Sequence, residues 1–234
     1  MSIANRNGLV AAAAPDALII GETDKIRAAF NDDAPAENNI KSFIPSLTIS
    51  IPRVSQVAFS SDESFLVICA DEGGGLAGYN VQSLKQGNTQ FAFQLATNGI
   101  PVRALVPNPA EETAHLIAVV LANGQLMLAN LKDQTFMNGP NGPSLRENVS
   151  CVSWSTRGKQ LVAGHGTATA VQLTPEGAVK AEIPRPPQLD GDQHGEFPLL
   201  LLGAIRMLMM DSLGYVLAEQ RHFSNDLYPD QLRT

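Results

Sequence analysis

Three glycines, Gly73, Gly75 and Gly78, stand in the order Gly-x-Gly-x-x-Gly directly after an apolar run. In a dinucleotide-binding fold that spacing turns the chain beneath a pyrophosphate and opens a helix whose N-terminal amides hold it. The neighbouring residues argue against such use. Asp71 and Glu72 would set negative charge beside the phosphates, and no Asp or Glu occurs at the ribose-binding position about 20 residues on. Residues 76–81 read as a strand, not a helix. A glycine-bearing hairpin turn is the better expectation, because the corresponding turns at Gly124 and Gly164 carry glycine too.

Other reactive side chains are scattered. His115, His165, His194 and His222 lack the paired spacing of a metal site and read as ordinary strand, turn or linker residues. Cys69 and Cys151 fall in strands of different repeats, outside any Cys-x-x-Cys, and read as small core residues in a reducing compartment. No Gly-x-Ser-x-Gly elbow or P-loop occurs. Asn148-Val149-Ser150 is a formal glycosylation sequon that leads into a strand, so it is expected to be fortuitous. Trp154 sits where Phe59 sits in an earlier repeat, which predicts an apolar contact between repeats and not a ligand-stacking platform. No catalytic, cofactor-binding or metal-ligating residue is assigned.

What positions these residues is a repeat. VSQVAF at Val54 returns as VRALVP at Val102 and as VSCVSW at Val149, at intervals of 48 and 47 residues. About eleven residues after each opening strand comes a second apolar run: FLVICA from Phe65, HLIAVV from His115 and QLVAG from Gln160. Turns follow, then third strands LAGYNV from Leu76, QLMLANL from Gln125 and ATAVQL from Ala168. A more polar fourth strand alternates apolar and polar residues, as in QFAFQLA from Gln90 and AVKAEI from Ala178, which suits one wet face. Four short strands at this period are a propeller blade, too small to bury its own faces and stable only beside neighbours. At the N-terminus, GLVAAA from Gly8, ALII from Ala17 and SLTISI from Ser46 match second, third and fourth strands of a partial blade, with 22–42 as a polar insertion.

Composition fits an ordinary globular domain, with 44% hydrophobic and 17% charged residues. A net charge of −7 without a Lys/Arg cluster argues against a nucleic-acid footprint and leaves basic proteins as partners. The early GLVAAAA resembles a signal h-region but is cut short by Pro15 and Asp16. The later run FPLLLLGAIRMLMM from Phe197 is broken by Arg206 and ended by Asp211, before membrane-spanning length, so no membrane insertion is expected. That run stands where another opening strand is due. Residues 195–234 show no blade pattern, and 199–220 could form a helix by composition. The break reads either as a C-terminal packing helix or as a departure from the parent sequence through splicing or reading frame; the second is favoured because it falls at a repeat boundary. Residues 199–210 are the only segment able to cover an open blade face.

Several stretches carry a resemblance: NRNGLVAAAAPDALII, GGGLAGYNVQSLKQGNTQ, VRALVPNP, LMLANLKDQTFMNGP, VSCVSWSTRGKQLVAGHGTATAVQLTPEG and AEIPRPPQLDGDQH, in this order from residue 3 to 194. Together they resemble the N-terminal propeller of the large cytoplasmic-face FG nucleoporin of filamentous fungi. The resemblance implies a seven-bladed propeller that recruits a DEAD-box helicase for mRNA export, placement in the nucleus at the cytoplasmic face of the nuclear pore complex, and neighbouring nucleoporins as partners. Seven blades at this period need about 330 residues, so the matched region amounts to about half a propeller. The helicase-binding loops of that family lie in later blades, so no partner-binding residue is assigned.

The reading is an all-β, open β-propeller of WD-repeat-like four-stranded blades over 1–194, with a divergent tail over 195–234. It is expected to be non-enzymatic, to need no cofactor, and to act through other proteins in nucleocytoplasmic transport. The alternatives are a propeller scaffold of another pathway, a closed four-bladed ring with its own partner, and a dinucleotide-binding enzyme using Gly73, Gly75 and Gly78.

Overall fold

The opening strands foreseen at Val54, Val102 and Val149 all form, each as the first strand of a four-stranded antiparallel sheet. The structure is a computed structural model and describes residues 1–31, 43–71, 73–139, 142–166 and 169–183. Blade 1 comprises β1 (Ser2–Ala4), β2 (Leu9–Ala14), β3 (Ala17–Glu22) and β4 (Leu47–Ser50). Blade 2 comprises β5 (Val54–Phe59), β6 (Phe65–Ala70), β7 (Leu76–Asn80) and β8 (Phe93–Leu95). Blade 3 holds β9 (Val102–Pro107), β10 (Leu116–Leu121), β11 (Leu126–Asn130) and β12 (Thr135–Phe136). Blade 4 holds β13 (Val149–Trp154), β14 (Leu161–His165), β15 (Ala170–Leu173) and β16 (Val179–Ile183). In every sheet the strands pair in chain order.

Blades stack because the two faces of each sheet are both apolar. In the second strands, side chains point alternately to either face. Leu66 and Ile68 of β6 join a core with Leu9, Ala11, Leu18 and Ile20 of blade 1, while Val67 and Cys69 join one with Ile117, Val119 and Leu121 of β10. The intervening Ala118 and Val120 of β10 pack on Trp154, Leu161 and Ala163 of blade 4. Phe59 and Trp154 occupy matching positions, paired with Leu66 and Leu161 respectively. Three cores therefore lie between four sheets. At about 1.5–3 kcal/mol per buried large aliphatic side chain, this interleaving is the main source of stability.

A bulge recurs at the start of each first strand from blade 2 onward, at Ser55, Arg103 and Ser150. It explains why the opening strands do not alternate cleanly in sequence: one extra residue shifts the face pattern. Ser55 and Ser150 use it alike, their hydroxyls donating to the carbonyls of Cys69 and Gly164.

Several expectations need correction. The N-terminal unit is a complete blade, since β1 supplies the first strand through Ile3 paired with Val10 and Ala4 with Leu9. The insertion after β3 begins with a helix, α1 (Thr23–Asn31), whose Ile26 packs over Gly21. The third strand from Leu76 ends at Asn80, because the Asn80 side chain accepts from the Ser83 amide and caps a short helix, α2 (Val81–Lys85). Val81 and Leu84 of α2 are buried in the core between blades 1 and 2. Fourth strands are shorter than foreseen, with β8 and β12 spanning only three and two residues. The tail over 195–234 and its helix over 199–220 lie outside the described residues, as do His194 and His222. Among the described residues, no helix is long and apolar enough to cross a membrane.

Candidate functional site

Gly73, Gly74 and Gly75 all have positive φ, at 81°, 64° and 96°. The turn they form is closed from within the protein: the Gly75 amide donates to the Thr97 hydroxyl at 2.6 Å, and that hydroxyl donates to the Ile100 carbonyl at 2.6 Å. Gly78 lies in β7, where the Phe93 ring occupies the space of a side chain; a Cβ there would stand 2.1 Å from ring carbons. The segment after the glycines is thus a strand under an aromatic ring, without the helix N-terminus that a pyrophosphate requires. This corrects the dinucleotide alternative on geometric grounds.

The remaining sequence candidates do not converge. His115 precedes β10 and His165 ends β14, in different blades. Cys69 is buried between blades 2 and 3, which pushes its thiol pKa up and makes it a poor nucleophile. Cys151 lies partly buried on the far face of blade 4. Asn148 takes φ 56° beside Gly124, and the Val149 amide donates to the Gly124 carbonyl at 2.8 Å as the chain enters blade 4. Trp154 is 7% exposed and its indole Nε1 donates to the Val106 carbonyl at 2.9 Å, so its plane and its polar tip are both spent on blade 3. Among the described residues no group of three or more His, Cys, Asp or Glu could hold a metal.

What the structure does bring together is a line of polar contacts between the loops that follow successive first strands. The sequence reading did not single these residues out. Glu63, at φ 58° and 9% exposed, turns its carboxylate onto blade 1. One oxygen accepts from the Arg6 amide at 3.0 Å; the other accepts from the Asn7 amide at 2.8 Å and the Asn7 side chain at 3.2 Å. Burial pushes this carboxyl up, but the amides of Arg6 and Asn7 and the Asn7 side chain outweigh it, leaving it below its ordinary 4.5. The Ser61 hydroxyl donates to the Asn108 carbonyl in blade 3. Asn108, fully buried, donates in turn to the Gly158 carbonyl of blade 4 at 2.9 Å and accepts from the Ala110 amide at 3.0 Å. Every blade is thereby tied to the next at one end of its first strand. At the other end, Arg103 ties blade 3 to blade 4 by donating to the carbonyls of Val149 and Ser150 at 2.7 and 2.9 Å.

A cleft of about 330 Å³ opens between blade 1 and α2, floored by Leu9, Ile20, Leu47 and Leu84. Its Glu22 accepts from Lys25 at 2.8 Å and from Ser46 at 3.1 Å, and these bonds lower its carboxyl pKa. Charges matched in this way favour a recognition surface over acid–base chemistry, which needs pKa values moved toward neutrality.

The four-stranded blades agree with comparisons to known proteins. The family model described as NUP159/214 beta propeller matches residues 1–211. Nucleoporin NUP159 of Chaetomium thermophilum is 51% identical over 195 residues, which is 83% of this chain and 13% of that protein. The solved N-terminal domain of Nup159 superimposes with a TM-score of 0.60 at 16% identity, covering 84% of this chain and 47% of the solved one. A second solved structure, of Saccharomyces cerevisiae Dbp5 bound to Nup159, Gle1, IP6 and ADP, also gives 0.60 at 16% identity, covering 84% and 46%. At that identity the solved structures speak for the fold alone, and they match the four blades to about half of a larger propeller. The family model and the fungal relative together decide the matter: the chain belongs to the NUP159/214 β-propeller family.

Proposed function

We propose that these four blades serve as a non-enzymatic docking platform at the cytoplasmic face of the nuclear pore, within a propeller that recruits a DEAD-box helicase during mRNA export. The observation that carries this reading is the 51% identity to a nucleoporin across 83% of the chain. Support comes from the solved complex in which Nup159 is bound to Dbp5 and Gle1, and from the surface itself. Its glycine turn is filled by Thr97 and Phe93, and the buried Glu63 and Asn108 are spent on joining blades. A rigid stack with exposed loops and a net charge of −7 suits protein partners and not an RNA backbone.

The test has two parts. A fluorescent fusion of the full chain, expressed in a filamentous fungus, is expected to mark the nuclear rim; diffuse fluorescence would overturn the placement. A chimera in which residues 1–183 of this chain replace the matching blades of the Chaetomium relative's propeller, so that the later blades are present, is expected to give a saturable complex with purified helicase of the Dbp5 class. Binding to the unaltered Chaetomium propeller but not to the chimera would overturn these blades as part of that platform and leave the pore placement to the first arm.

A further inference from the structure

Four Asn-Gly pairs lie wholly within the described residues: Asn7-Gly8, Asn98-Gly99, Asn123-Gly124 and Asn138-Gly139. Such a pair is chemically labile, because the amide nitrogen after an asparagine can attack its side-chain carbonyl and glycine puts no side chain in the way. Three of the four are held. The Asn7 side chain donates to Glu63 at 3.3 and 3.2 Å and accepts from Gln82 at 3.1 Å. The Asn123 side chain accepts from the Gln125 amide at 3.1 Å, and the amide of the buried Gly124 donates to the Leu121 carbonyl at 2.9 Å. The Gly139 amide donates to the Gly142 carbonyl at 2.7 Å. The fourth pair differs. Asn98 and Gly99 are both exposed, and neither the Asn98 side chain nor the Gly99 amide bonds to any described residue. Nothing stands within 4 Å of the point where a Gly99 side chain would begin.

We propose that Asn98 is a site of spontaneous deamidation, and that its isoaspartyl product loosens the glycine turn of blade 2. The Gly99 nitrogen bonds to Cγ of Asn98 as the Cγ–Nδ2 bond breaks, and ammonia leaves with the proton given up by the Gly99 amide. Water then opens the succinimide ring. Attack at Cγ leaves aspartate; attack at the main-chain carbonyl of Asn98 leaves isoaspartate, with the chain running through the former side chain. The second product adds a methylene to the main chain between Thr97 and Ile100. Those two residues are tied to each other twice, the Ile100 amide donating to the Thr97 carbonyl at 3.0 Å and the Thr97 hydroxyl to the Ile100 carbonyl at 2.6 Å. The same hydroxyl accepts from the Gly75 amide at 2.6 Å, so a lengthened turn withdraws the group that closes Gly73 to Gly75. The modified chain is a substrate for the class of carboxyl methyltransferase that acts on isoaspartyl residues, independently of which partner the propeller docks.

The test keeps the full chain in mildly alkaline buffer and follows its peptides by mass spectrometry. Isoaspartate is counted by methyl transfer from S-adenosylmethionine with a purified isoaspartyl methyltransferase. Asn98 is expected to convert about tenfold faster than Asn7, Asn123 or Asn138, since each of those must first break its local bonds. In urea the four rates are expected to converge, because only the shared Asn-Gly sequence then remains. Asn98 failing to lead the other three in the folded chain, or the same ranking in urea, would overturn the proposal. Exchange of the Gly75 amide reads the effect on the turn. It is expected to quicken about fivefold in the isoaspartyl fraction, and to stay at the parent rate in Asn98→Asp, which adds the charge without the methylene. Unchanged exchange in the isoaspartyl fraction, or equal quickening in Asn98→Asp, would sink the link between Asn98 and the glycine turn.

Discussion

Glu63 holds two backbone amides and one side-chain amide of the neighbouring blade with a single carboxylate, from a loop position whose positive φ is itself unfavourable. Its folded-state pKa is lowered, so its contribution to stability is present above the ordinary carboxyl value of 4.5 and is lost as pH falls through the lower folded value. Glu63→Gln should cost about 1–2 kcal/mol at neutral pH. The gap between variant and parent should close in acid, as read from urea midpoints at the two pH values. Tyr79 presents the opposite case: its hydroxyl is buried without a partner, and burial raises its pKa to about 12. Tyr79→Phe removes an unsatisfied donor while keeping the ring against Phe91, and should be neutral or stabilising by about 1 kcal/mol in the same measurement. At Gly78 the Phe93 ring leaves no room, so Gly78→Ala should destabilise by about 1–3 kcal/mol through overpacking. Calorimetric titration of the parent with NAD should show no saturable heat; micromolar binding lost in Gly75→Val would contradict the hairpin reading.

Among the elements, those with a sharp period were legible and those shaped by a single side chain were not. The runs from Phe65, His115 and Gln160 announced β6, β10 and β14 because both faces of a middle strand are buried, which makes the sequence continuously apolar. β1 was missed because Ser2-Ile3-Ala4 is too short to show alternation, and its place is set by pairing with β2. α1 carried a signal that was overlooked, Ile26 and Phe30 at i, i+4 within a polar stretch. α2 turns on Asn80, one capping side chain at the end of a strand-like run. Asn80→Ala should cost about 1 kcal/mol and loosen Leu84 from the core between blades 1 and 2, visible as faster amide exchange over 81–85. The latches of Ser61, Glu63 and Asn108 had no motif to betray them, since their partners are main-chain groups 47 to 57 residues away.

Across the whole molecule, the latches and the interleaved cores couple the blades in series. Asn108 takes a bond from blade 2 on its main-chain carbonyl, which Asn108→Ala keeps, and gives one to blade 4 from its side-chain amide, so Ser61→Ala and Asn108→Ala are coupled through the loop backbone that both bonds fix. A double-mutant cycle on chemical denaturation should return a coupling of about 0.5–3 kcal/mol. A value near zero would mean that the two bonds act separately. The strand order has a further consequence, for synthesis. Each sheet is built from four strands contiguous in the chain, and none is borrowed from a distant segment. A blade can therefore be completed as soon as it leaves the ribosome, at the rate of one about every 48 residues, and it waits only for its successor to cover its forward face. Ile68 finds blade 1 already made; Val67, its neighbour in the same strand, waits for β10 to emerge. Folding would then keep pace with translation from the N-terminus, with a single unpaired face exposed at the growing end at any moment.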